Sequence, residues 1–174
     1  MKLRLYFAAS SLVLLSLGAF AEEKGPFGGF KHDNSEPIEI TSDTLEVRQA
    51  EQLAIFTGEV VAGQGTLRLT ADQLDVFYQE QGQETADADT GAIERLIATG
   101  NVFLSNGTET AQGETGTYDV ATGIVTMEGS VILTQGGNAI SGPKLEIDLK
   151  TGVGKVLGGR VKSIFAPSSS EEEN

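Results

Sequence analysis

The sequence predicts an all-β fold, and three observations lead to this prediction. Apolar and polar residues alternate along many short segments, as they do in strands with one buried face. Gly and Asn separate these segments, and no stretch keeps a helical period over three turns. Two short motifs also recur along the chain. Together they predict a solenoid-like stack of about four two-strand repeats with an open apolar interior.

The two motifs define the repeat. The first precedes an alternating strand and starts at Ser42, Ala71, Gly113 and Gly142, with spacings of 29, 42 and 29 residues. The second has the form Gly-x-Val and starts at residues 58, 100, 129 and 159. Both series fit units of about 29 residues, the second unit carrying an insertion. The inserted residues 79–91 are polar and acidic and are expected to form a surface loop.

Within each unit the alternation changes parity. Ile38 and Ile40 alternate with polar residues, whereas Leu45 and Val47 alternate in the opposite parity. A slip of one residue turns every following side chain to the other face of a strand. A bulge or tight bend is therefore expected at Asp43-Thr44 and at the equivalent places in later units. The Gly of each Gly-x-Val motif is expected to permit a bend or a close approach of backbone.

The first 21 residues have the pattern of a secretory signal peptide. Lys2 and Arg4 precede an apolar stretch at residues 5–17, and Ala19-Phe20-Ala21 supplies small residues for cleavage after Ala21. A membrane anchor is the alternative, but a spanning helix needs about 20 apolar residues, and this stretch is shorter. Export of the remaining chain is therefore expected.

Composition changes again at both ends of the repeat region. Residues 22–37 contain Gly, Pro and scattered charges without periodicity, which predicts a flexible leader. Residues 38–166 are expected to form one folded domain. Residues 167–174 read Pro-Ser-Ser-Ser-Glu-Glu-Glu-Asn and predict a disordered acidic tail.

Composition also argues against several functions. The net charge is −13. It becomes −15 without residues 1–21, because these contain two Lys or Arg residues and no Asp or Glu. Such a negative charge disfavours binding of nucleic acid. There is no Cys, and the only His, His32, lies in the predicted leader, where we expect it to be solvated. Asp43, Asp72 and Glu114 recur once per repeat, which favours a structural turn role. We therefore expect no enzymatic activity, no catalytic residue, no metal site and no cofactor.

Several segments are similar to the OstA-like family, and within it to the periplasmic bridge proteins of lipopolysaccharide transport (Lpt). These segments are Pro37–Asp43, Phe56–Val60, Leu69–Leu74, Ala98–Val102 and Met127–Val131. The resemblance implies a twisted β-jellyroll, open at both ends, whose apolar interior binds the acyl chains of lipid A in the periplasm. It also implies that copies stack head to tail. The stack would bridge an inner-membrane-anchored Lpt partner and the periplasmic domain of the outer-membrane Lpt translocon.

Inward-facing apolar residues are the expected lipid contacts. Burial of each methylene contributes about 0.8 kcal/mol, which can offset repulsion between lipid phosphates and an acidic protein. The lipid-binding candidates are Ile38, Ile40, Phe56, Val60, Leu67, Leu69, Leu74, Val76, Val102, Leu104, Tyr118, Val131, Leu133 and Ile147.

Two alternatives remain open. The chain could be a periplasmic β scaffold with a solid interior that recruits partners by edge-strand pairing without carrying lipid. It could also be the membrane-anchored partner of the same pathway, which keeps its N-terminal helix. The expected cleavage after Ala21 argues against that second alternative.

Overall fold

A computed structural model describes residues 29–33, 35–79 and 93–167. These residues form ten strands of one antiparallel sheet and one short 3-10 helix, Gln49–Glu51, so the all-β prediction is confirmed. The expected signal peptide, most of the 79–91 insertion and nearly all of the acidic tail lie outside the described residues. The strands are β1 (Ile38–Thr41), β2 (Thr44–Arg48), β3 (Leu53–Gln64), β4 (Leu67–Tyr78), β5 (Ile93–Ser105), β6 (Glu109–Asp119), β7 (Ile124–Gln135), β8 (Asn138–Asp148), β9 (Val153–Leu157) and β10 (Lys162–Ile164).

The strands are arranged in the order of the sequence. Each of β3 to β7 pairs antiparallel with the next strand along the chain. β1 and β2 pair with opposite halves of β3, and β10 and β9 pair with opposite halves of β8. The sheet therefore has an N-terminal edge made of β1 and β2, and a C-terminal edge made of β9 and β10.

The long strands bend near their middles, as the parity switch predicts. The register between β3 and β4 shifts between Thr57 and Val60, and every later pair up to β7 and β8 shifts at the same level. At three bends two successive residues have left-handed backbone conformations. These pairs are Gly58 with Glu59, Gly100 with Asn101 and Gly129 with Ser130. They begin three of the Gly-x-Val motifs, which explains why Gly recurs there.

The repeat differs in detail from the expected pair of short strands. In β4, β6 and β8 the two predicted short strands are halves of one continuous strand, because the bulge leaves the ladder intact on both sides. The corresponding strand of the first unit is divided into β1 and β2 at Ser42-Asp43. The fourth motif, at Gly159, lies in the break between β9 and β10, where Gly158 has the left-handed conformation.

The bends fold the sheet into two layers with one apolar core between them. Layer A contains β1, β10 and the halves of β3 to β8 that meet at the turns after Gln64, Ser105 and Gln135. Layer B contains β2, β9 and the opposite halves. A cavity between the layers is lined by Ile38, Leu67 and Leu69 from layer A and by Leu96 and Tyr118 from layer B, together with Ala62, Gly63 and Gln64.

Within the residues that the structure describes, no helix is long and apolar enough to span a membrane.

Candidate lipid-binding interior and sheet edges

The predicted lipid contacts all lie on the interior side of the sheet. Val60, Leu67, Leu74, Val76, Val102, Leu104, Val131, Leu133 and Ile147 are buried in the core cluster. Ile38, Ile40, Phe56, Leu69 and Tyr118 are partly buried and pack against it. The parity of the strands is therefore as predicted, whereas contact with lipid stays a prediction.

The interior offers apolar contact and very little polar chemistry. The Tyr118 hydroxyl is buried and has no hydrogen-bond partner among the described residues. Burial raises the pKa of Tyr118, and the neighbouring charge of Asp119 adds to this effect, so the phenol stays neutral and can donate a hydrogen bond. The described residues include no group of three or more His, Cys, Asp or Glu side chains that could hold a metal ion.

The space inside is small in this conformation. The cavity between the layers has a volume of about 40 Å³, which is room for a few water molecules. An acyl chain can occupy this cavity only if the layers separate or if a neighbouring group that now fills the interior leaves.

The recurring acidic residues hold the bends. A Cβ atom on Gly58 or Gly100 would lie 2.4 Å or 2.3 Å from the Oδ2 atom of Asp43 or Asp72, because each carboxylate packs over its Gly. The Asn101 amide donates a hydrogen bond of 2.8 Å to Asp72 Oδ2. Glu114 occupies the equivalent place in the third repeat. The predicted structural role of these carboxylates is thus confirmed.

The N-terminal edge leaves part of the interior face uncovered. Leu45 and Val47 lie directly opposite Phe56 and Ala54, which pack against the core, so all four side chains share one face of the sheet. Leu45 and Val47 are nevertheless 53% exposed, since no strand lies over them. The apolar interior is therefore open at this edge.

The C-terminal edge is also apolar and exposed. Among the described residues, most of the exposed large hydrophobic side chains belong to one of the two edges, and two, Val61 and Ile132, lie elsewhere. Exposed apolar residues at an unpaired sheet edge favour contact with another molecule. The exposed residues at the C-terminal edge are Val153, Leu157, Val161, Ile164 and Phe165.

The two edges carry opposite charges in an acidic chain. Residues 35–52 contain five acidic residues and one basic residue, whereas residues 149–167 contain four basic residues and no acidic one. The acidic residues are Glu36, Glu39, Asp43, Glu46 and Glu51, and the basic ones are Lys150, Lys155, Arg160 and Lys162.

Sequence reasoning missed several buried or partly buried residues, and three of them are Phe30, His32 and Glu109. Phe30 lies in the predicted leader but is only 3% exposed and belongs to the core cluster. His32, expected to be solvated, is partly buried, and its Nε2 atom is buried without a hydrogen-bond partner in the described part of the chain. Glu109 is 1% exposed and accepts a hydrogen bond from the Gly29 backbone N–H at 3.0 Å. A single Phe in an aperiodic segment gives no signal for burial.

Comparison with known proteins identifies the family. The family described as "LptA/(LptD N-terminal domain) LPS transport protein" matches residues 39–153. The chain belongs to this family. Membership in the Lpt family confirms the OstA-like resemblance and places the chain among transport proteins rather than enzymes.

Individual relatives agree with the Lpt assignment. An uncharacterized protein of Rhizobium meliloti (strain 1021) is 35% identical over 144 residues, covering 81% of this chain and 77% of the relative. The lipopolysaccharide export system protein LptA of Escherichia coli (strain K12) is 29% identical over 173 residues, covering 95% and 86%. The crystal structure of LptH, the LptA homologous periplasmic component of the lipopolysaccharide transport device from Pseudomonas aeruginosa, superposes with a TM-score of 0.65. That match has 20% identity and covers 78% of this chain and 99% of LptH, so it supports the Lpt-type fold.

Proposed function

We propose that this chain is a periplasmic lipopolysaccharide carrier whose interior takes up acyl chains of lipid A. One observation supports the proposal above the others. The apolar interior is continuous from Ile40 and Phe56 near one edge to Ile147 near the other, and it is open where Leu45 and Val47 are exposed. Each methylene that enters contributes about 0.8 kcal/mol, whereas the phosphorylated sugars would stay in water.

The periplasmic location and the domain limits belong to the same proposal. LptH is described as a periplasmic component, and LptA as part of an export system. For this chain we propose a signal peptide at residues 1–21, cleaved after Ala21, a leader at 22–37, the lipid-binding domain at 38–166 and an acidic tail at 167–174. Analysis of the mature N-terminus by mass spectrometry checks the first limit, and a chain that still begins at Met1 would contradict it.

Photocrosslinking in cells tests lipid uptake. A photoreactive side chain at Ile40 or Leu69 is expected to form lipopolysaccharide adducts, because both side chains are half-buried against the interior. The neighbours Glu39 and Arg68 are exposed and are the matched controls, since alternate residues of a strand face opposite sides. Equal adduct yields at interior and exterior positions, measured on immunoblots, would contradict a lipid-binding groove.

We further propose that copies stack head to tail through their edges. β3 and β8 run in opposite directions, because five antiparallel pairings separate them. The C-terminal edge of one copy therefore runs antiparallel to the N-terminal edge of an identically oriented copy. In this arrangement β10 would meet β1 in layer A, and β9 would meet β2 in layer B. Exposed edges with free backbone groups favour such strand addition.

Charge and apolar exposure support the same arrangement. The acidic N-terminal edge and the basic C-terminal edge attract each other, whereas two like edges repel, so charge selects the head-to-tail orientation. A second copy would also cover Leu45 and Val47. The same edges are the surfaces we propose for the inner-membrane-anchored Lpt partner and for the periplasmic domain of the outer-membrane translocon.

Charge reversal tests the stacking polarity. The first variant carries Glu39→Lys and Glu46→Lys, and the second carries Lys155→Glu and Lys162→Glu; all four side chains are exposed. Each variant alone is expected to lose higher oligomers, because the altered edge then has equal numbers of acidic and basic residues and no longer attracts the opposite edge. In an equimolar mixture the unchanged C-terminal edge of the first variant meets the unchanged N-terminal edge of the second, so dimers of the two variants are expected to form. Light scattering after size-exclusion chromatography measures both, and full oligomers in either single variant would contradict the polarity.

The second candidate function is a periplasmic β scaffold that recruits partners without carrying lipid, and the small cavity between the layers favours it. It predicts stacking or partner recruitment without lipid adducts at Ile40 and Leu69. The crosslinking experiment therefore separates the two candidates.

A further inference from the structure

Residues 29–33 cross between the margins of the two layers. At the margin of layer A, Gly29 donates its backbone N–H to Glu109 and accepts a 2.7 Å hydrogen bond from the Asn106 amide. His32 then lies beside Gly65, at the turn between β3 and β4. At the margin of layer B, the His32 backbone N–H donates a 2.7 Å hydrogen bond to the carbonyl of Leu149. The segment is thus tied to both layers on the side opposite the bulges.

Between these two attachments the segment places one large apolar group inside. The Phe30 side chain is 3% exposed and belongs to the same cluster as the predicted lipid contacts. An aromatic ring is among the bulkiest groups that a protein core contains. Phe30 therefore occupies volume that an apolar ligand would otherwise fill.

We propose that residues 29–33 form a latch over the seam between the layers, and that Phe30 occupies an acyl-chain site from which lipid A displaces it. This inference depends on the proposed lipid-carrier function. It adds a specific site, at the seam between the margins at Glu109 and Leu149.

The contacts of the latch are few enough for lipid to displace it. Most of its polar contacts use backbone atoms of the segment, and the buried Nε2 atom of His32 lacks a partner among the described residues, which costs free energy in the docked state. Release would return that nitrogen to water. An acyl chain would replace the apolar contacts of Phe30, so the interior would not be left empty.

A spin label on the leader measures release directly. The chain has no Cys, and Lys31 is exposed, so Lys31→Cys gives a single labelled site. Lipid A is expected to mobilise this label, whereas the deacylated, phosphorylated sugar backbone of lipid A is expected to leave it immobile. A label at exposed Gln112 on β6 is the matched control and is expected to change with neither probe.

Two variants test the competition. Phe30→Ala removes the ring that occupies the site. It is expected to tighten apparent binding of lipid A about tenfold or more, because the lipid no longer has to displace the ring. Glu109→Gln keeps Phe30 and the groove unchanged but weakens the attachment of Gly29. It is expected to mobilise the Lys31 label before lipid is added. Circular dichroism checks that both variants fold. If Phe30→Ala does not fold, the label mobility in Glu109→Gln is the test of the latch.

The outcomes separate the latch from the carrier function. Lipid A binding, followed by calorimetry, together with mobilisation of the Lys31 label supports both. Lipid A binding with an immobile label, or with an affinity that neither variant changes, overturns the latch and leaves the carrier function intact. Absence of lipid A binding by the wild type and by both variants overturns the carrier function and the latch with it.

Discussion

Gly129→Ala is expected to destabilise the domain by about 3 kcal/mol or more in urea unfolding. The left-handed backbone of Gly129 already disfavours a side chain, at a cost of about 1–2 kcal/mol. The new Cβ atom would also lie 2.5 Å from Cβ of Glu114. Because Glu114 Cβ is fixed by its backbone, rotation of the Glu side chain cannot relieve this contact, and β6 and β7 must move apart at the bend.

Gly136→Ala is the matched control. Gly136 follows β7 directly and also has a positive φ, but a Cβ atom there would meet nothing within 4 Å. Its variant therefore measures the backbone cost alone. The double variant Glu114→Gly, Gly129→Ala is expected to lose less stability than the two single losses combined. If Gly129→Ala and Gly136→Ala lower the free energy of unfolding equally, the bend tolerates the contact with Glu114, and the predicted clash is contradicted.

Leu74→Ala is expected to cost about 2–5 kcal/mol of unfolding free energy. Leu74 is fully buried in the core between the layers, so truncation leaves a cavity that its neighbours fill only in part. Its side chain faces the interior directly opposite Phe56 on β3. The midpoint of chemical unfolding measures the loss.

Leu45→Ala provides an internal comparison of the same substitution. Leu45 occupies the equivalent position of the first repeat and lies opposite the same Phe56 from the other side of β3. Because Leu45 is 53% exposed, its truncation is expected to cost less than about 1 kcal/mol. It is expected instead to weaken self-association, since stacking would bury it. Similar losses of stability at both positions would contradict an open N-terminal edge.

Sequence periodicity predicted the features that depend on neighbours along the chain. The opposite parities of Ile38, Ile40 and Leu45, Val47 predicted the bend, because only a bulge can keep both sets on one face. Asp43 and Glu114 each lie 15 residues before the Gly that they contact, Gly58 and Gly129, and this recurrence reflects a contact between successive strands. Such contacts leave a period in the sequence, and a period can be read without a structure.

Features that occur once were beyond sequence reasoning. The contact between Gly29 and Glu109 joins residues that are 80 positions apart, and no repeat of it exists to reveal a pattern. Phe30 lies among Gly and charged residues, and this segment has no alternation from which the burial of one aromatic side chain could be predicted. Continuous β4, β6 and β8 were missed for a different reason, since a parity switch does not tell whether the strand ends at the bulge or passes through it.

The sequential order of the sheet has a consequence for how the chain folds. Because every strand from β3 to β8 pairs with its immediate neighbour, loop closure is short for each hairpin, except at the insertion between β4 and β5. Assembly can then proceed as a chain of local steps that spread outward from any hairpin, as in repeat proteins. The first and last strands have a neighbour on one side only, so they form last and open first. The surfaces best suited to pair with another molecule are therefore also the least costly to rearrange.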